Sequence, residues 1–207
     1  KKIGIIATAI FVATACTGIR GTAHMKVMPL ASEINPNSLT VGTVAVAFTA
    51  NDFNWTSRTL TCDIFSKCLY DSTEVEQLQV GDTLVYEGKS MAITSIESQK
   101  SNKIINGGIE TGGAELTPNG NGTYRTVLMD DHSVYEKLGR QRLSLADDFI
   151  ITDCGEDYSD PYDTIRTNHK AYIDSLPEYR RDYFNCLNTE IVMSEGKVKE
   201  IHRRWIP

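Results

Sequence analysis

The chain has 207 residues, 41% of them hydrophobic and 23% charged, which excludes a disordered tail, a collagen-like fibre and a polytopic membrane protein. That length can bury a core without a metal or dense crosslinks, in one ordinary domain or two small ones. The formal net charge of −6 sets the chain apart from nucleic-acid binders, which displace counterions from phosphates with clustered Lys and Arg, so no nucleic-acid partner is expected.

Lys1 and Lys2 give the chain a positive start, and residues 3–15 form an apolar or weakly polar run that ends in small residues. This is the layout of a signal peptide. A membrane-spanning helix needs about 20 apolar residues. The run stops after 13 and is followed by Thr17, Gly18 and Arg20, so it is too short to span. Ala13, Thr14 and Ala15 stand directly before Cys16. The segment resembles the bacterial lipoprotein signal, with these three residues in the lipobox and Cys16 as lipid acceptor; at Ala13 that class usually carries Leu. The resemblance covers only the first sixteen residues. It implies a signal peptide at 1–15, export to the cell envelope, and attachment to the membrane through a lipid on Cys16. Loss of Lys1 and Lys2 would leave 19 basic against 27 acidic side chains, a net charge of −8.

Residues 17–38 hold Pro29 and Pro36 without a sustained period, so 16–38 reads as a tether and irregular lead-in to a β-rich domain at 39–207. Within 39–49, Val44, Val46 and Phe48 alternate with Ala45 and Ala47, as in a strand with one close-packed face. Residues 55–65 repeat the pattern, with Leu60, Cys62 and Ile64 on one face. The run at 78–82 is similar to the turns that lead into strands of small barrels, and 83–86 with 91–96 make a hairpin about Glu87-Gly88-Lys89. Six glycines and Pro118 within 106–122 predict a flexible surface loop, followed by a strand at 123–129. Residues 134–138 read as a short helix, and 143–145 and 149–151 as two short strands. Helices are expected at about 166–188, the second starting at Pro177. A terminal hairpin at 190–193 and 197–202 completes the chain. The fold class is mainly β (α+β): a small barrel or sandwich of antiparallel strands with a two-helix insertion near the C-terminus.

With Cys16 consumed by lipid, Cys62, Cys68, Cys154 and Cys186 remain, and four thiols can pair in three ways. Spacing in an oxidising compartment favours Cys62 with Cys68 and Cys154 with Cys186 as disulfides. The second bridge would close a loop of about 31 residues, worth roughly 3–4 kcal/mol in chain-entropy terms. No Cys-x-x-Cys pair exists, and His24, His132, His169 and His202 are not spaced as metal ligands.

Candidate chemistry is sparse. Asp130-Asp131-His132-Ser133 follows a predicted strand, where Asp131 or Asp130 could orient His132 as a general base; the same residues are also common helix caps. Residues 156–163 carry four carboxylates, and Asp157, Asp160 and Asp163 are the candidate ligands for calcium, although EF-hand spacing is absent. Tyr158 and Tyr162 could instead face a glycan or protein partner. The expected function is a non-catalytic binding or structural role in an exported, lipid-anchored envelope protein. A secreted hydrolase using His132 is one alternative, and an inhibitor or immunity-type module presenting its acidic loop to a basic protein is the other.

Overall fold

The computed structural model describes residues 23–155, 164–181 and 183–206. In chain order the strands before the long insertion are β1 (Lys26–Val27), β2 (Gly42–Ala47), β3 (Phe53–Asn54) and β4 (Thr59–Lys67). The insertion carries β5 (Leu69–Asp71), α1 (Ser72–Glu76), β6 (Thr83–Tyr86), β7 (Lys89–Ala92), β8 (Ile96–Gln99), β9 (Asn102–Ile105), β10 (Ala114–Gly120) and β11 (Thr123–Val127). The chain then returns as β12 (Tyr135–Asp153) and ends with β13 (Ile165–Thr167), α2 (Lys170–Ser175), α3 (Glu178–Arg181), β14 (Thr189–Ser194) and β15 (Lys197–Arg203).

The protein is mainly β, and five strands close into a barrel in the order β12-β15-β14-β2-β4, with β4 pairing back onto β12. Two pairs depart from the expected antiparallel arrangement: β12 with β15, the one parallel seam of the barrel, and the short β1 with β6 in the insertion. An odd number of strands cannot alternate direction around a closed ring, so a parallel pair is unavoidable. Alternation along each strand points Val44, Val46, Leu60, Cys62, Ile64, Leu143, Leu145, Ile191, Met193, Val198 and Ile201 inward, where all are buried. Aromatic rings add to this core: Phe184 stacks on Phe48 at 4.6 Å, Phe48 meets Phe53 edge-on at 5.5 Å, and Phe53 stacks on Trp55 at 5.1 Å.

The insertion grows out of the open end of the β4–β12 ladder, where Tyr135 pairs with Lys67 and Cys68 donates to the Val134 carbonyl at 2.9 Å. It has its own buried cluster, including Tyr70, Leu84, Ile93, Ile105 and Leu116. A five-stranded antiparallel sheet, β5-β11-β10-β9-β8, faces a three-stranded one, β1-β6-β7, and the Tyr70 hydroxyl ties them by donating to the Val85 carbonyl at 2.9 Å.

Several local expectations change. The described part of the 16–38 segment is not a bare tether, because β1 pairs with β6 and Val27 is wholly buried. Part of the expected loop at 106–122, Ala114–Gly120, is β10, because Leu116 and Ala114 have a core to enter. The helix expected at 134–138 and the two short strands after it are one continuous strand, β12, with an irregularity between Leu145 and Ile150. The expected helical region shrinks to α2 and α3, of six and four residues.

A buried polar cluster fixes that region to the barrel seam. Asp153 and Arg203 are register partners across the parallel pair, and both are buried. The Asp153 carboxylate accepts from Arg203 Nε at 3.0 Å, from the Tyr172 hydroxyl at 2.6 Å and from the Gly155 amide at 3.0 Å. Arg203 Nη2 also bonds Asp153 and reaches the Gly155 carbonyl at 3.1 Å, and Arg180 donates to the same carbonyl. Burial, together with the bond to Asp153, pushes the Tyr172 phenol well above its ordinary pKa. Removing one partner strands buried charge, so Asp153→Ala should cost about 3–5 kcal/mol in urea unfolding, against about 1–2 kcal/mol for Tyr172→Phe.

Candidate functional site

A cavity of about 810 Å³ lies where the insertion meets the barrel. One wall is the N-terminal strap that runs from β1 toward β2, contributing Met28, Leu30 and Ile34. The opposite side is the start of β12, with Tyr135 and Leu138, and the β6–β7 turn adds Val85, Glu87 and Gly88. Cys68, only 5% exposed, also lines the cavity. Met28 and Leu30 remain 49% and 44% exposed, so apolar surface beside the cavity is left to solvent.

The strap is held in place at its beginning by a buried carboxylate. Asp82 is wholly buried and accepts from the Met25 amide at 2.7 Å and the Gln79 amide at 2.9 Å, with His24 Nδ1 3.6 Å away. Thr83 donates to the Met25 carbonyl at 2.8 Å, and farther along Leu30 donates to the Leu69 carbonyl at 2.7 Å. The turn that presents Asp82 requires glycine twice over. Gly81 has φ +100°, and the His24 ring lies where a Cβ would sit.

The electrostatics of the cleft are one-sided. Glu87 and Glu136 are both exposed at its edge, and neither has an ion-pair or hydrogen-bond partner among the described residues. Lys137, the one basic side chain lining the cleft, turns to Asp63 at 2.8 Å, part of a surface network with Arg140 and Asp52. Burial pushes the Cys68 thiol up to about 11, with Glu136 and then Glu87 adding to the shift. A thiol so held stays protonated near neutral pH and is a poor nucleophile. Concave apolar walls with a few polar groups favour holding a small apolar ligand.

The residues singled out from sequence lie elsewhere. His132 follows a short 3-10 turn, Met129–Asp131, and is half-buried. The Asp131 carboxylate, expected to orient it, faces Arg125 at 2.7 Å, and that guanidinium also contacts Ser133 Oγ at 3.3 Å. Asp130 lines a separate trough of about 530 Å³ with Glu110 and Glu115. Asp157, Asp160, Asp163 and Cys16 lie outside the described residues. Among the described residues no cluster of three or more His, Cys, Asp or Glu is arranged to hold a metal ion.

The expected disulfides are not present. Cys62, Cys68, Cys154 and Cys186 are all free thiols. For Cys62 and Cys68 the reason is the strand between them. Six residues of extended chain span about 20 Å, whereas a disulfide needs Cα atoms roughly 4.4–6.8 Å apart. The two thiols enter different cores.

Sequence reasoning missed the strap. The signal was there in Met28, Leu30 and Ile34, apolar residues between Pro29 and Pro36 that a solvated tether has no reason to carry. Compared with known protein families, curated proteins and solved structures, the chain matches none.

Two outcomes follow. All four of these thiols should titrate with a disulfide reagent in denaturant; in the native protein Cys154 and Cys186 should react well before Cys62 and Cys68, whose thiols are buried. Gly81→Ala should destabilise the protein by about 1–3 kcal/mol through its φ and the His24 clash, and His24→Ala should restore part of that loss in thermal unfolding.

Proposed function

We propose that this is an exported envelope protein, lipid-anchored at Cys16, with a non-catalytic binding role carried out in the cleft between insertion and barrel. The observation that carries the binding role is the cleft itself: apolar walls, exposed Met28 and Leu30, and a protonated thiol in place of an activated nucleophile. Export and the anchor rest on the positive start, the apolar run and the small residues before Cys16. The latch at Asp82 supports a joint reading of the two. It fixes the strap from His24 onward, so a lipid on Cys16 would have eight residues of reach, about 26–29 Å when fully extended. The cleft would then work close to a bilayer surface, where apolar ligands collect. The pairing of Asp131 with Arg125 does not favour the hydrolase reading.

With the full chain, a neutral apolar dye such as N-phenyl-1-naphthylamine should bind saturably, and Leu30→Glu should weaken binding at least about tenfold without changing thermal unfolding. In a bacterial host, Cys16→Ser should move the protein out of the membrane fraction. Failure of the dye to saturate would remove the binding role. Cytosolic protein that retains residues 1–15 would remove export and the anchor.

A further inference from the structure

We propose that the ligand of this cleft is a small cationic amphiphile: an apolar body lodged between the strap and β12, with a protonated amine held by Glu87 and Glu136. This rests on the reading of the cleft as a binding site and specifies what it takes. Three observations lead there. The first is charge: the cleft carries two carboxylates without partners among the described residues, and Lys137, which could have balanced them, is committed to Asp63 at 2.8 Å. Two like charges beside an apolar surface favour a cation entering between them and disfavour an anion. A fatty acid or a phosphate headgroup would be repelled.

The second observation is the floor. Cys68 is 5% exposed and lines the cavity, and its thiol has no hydrogen-bond partner among the described residues, so a weakly polar atom lies beneath the apolar walls with nothing described to meet it. The third is size. About 810 Å³ lies within the range of small-molecule sites, roughly 300–1,000 Å³. The occupant is therefore a single small molecule and not a protein partner, which would need a broad face of about 800 Å².

The test compares three probes that differ only in the head: decylamine, decanol and decanoate, titrated calorimetrically into the full chain at pH 7. Decylamine should bind most tightly and decanoate most weakly, and added salt should weaken the amine while leaving the alcohol unchanged. The Glu87→Gln/Glu136→Gln double variant should lose about 10–100-fold in affinity for decylamine and change decanol by less than about twofold, which also shows that the variant is folded. If decanoate binds as tightly as decylamine, or the double variant keeps its affinity for the amine, the charge preference is wrong and the cleft reading stands. If none of the three binds, both are wrong.

Discussion

The 19-residue strand β12 is the constraint on which the rest of the architecture depends. Its first half pairs antiparallel with β4 and its second half parallel with β15, so the same strand closes the barrel on both sides. A parallel neighbour cannot be reached by a tight turn and requires a crossover of a dozen or more residues. Residues 154–196 provide that crossover, and this explains why the helices and β14 lie between β12 and β15. The buried Asp153–Arg203 pair sits in register at the seam. Tyr172 from α2 and Arg180 from α3 extend the cluster into the crossover, so its helical part is held to the seam by charge-assisted hydrogen bonds, while β13 and β14 are held by ladders.

The other end of β12 governs the candidate site. There the β4–β12 ladder passes directly into the insertion, and two cores meet without merging. Convex bodies joined along one ladder leave a crevice, and the strap crosses it on its way from β1 to β2. Asp82 sets the position of the strap by taking two backbone amides into a buried site, which is favourable only when those donors are present. One wall of the cleft is thus fixed by a carboxylate in the insertion, while the other belongs to the barrel.

The free thiols follow the same division. Cys62 and Cys68 lie six residues apart along one extended run, yet one enters the barrel core and the other the core of the insertion. Cys62 packs as a small apolar side chain, Cys68 also lines the cleft, and burial raises both thiols above their ordinary pKa.

Sequence by itself determined what depends on neighbours along the chain. The alternation of Val44, Val46 and Phe48, the Glu87-Gly88 hairpin turn and the terminal hairpin are all visible there, because period-two burial and positive-φ turns are local properties. Only the tertiary structure decided that strands expected at 143–145 and 149–151 are one, since their continuity depends on partners β4 and β15 being on opposite sides. It alone converted the glycine-rich 106–122 segment partly into β10, by providing a core for Leu116 to fill. It also decided the cleft, whose lining comes from residues 28–36, 68, 85–88 and 135–138. No local pattern links such distant segments; burial and pairing energy, summed over the whole fold, bring them together.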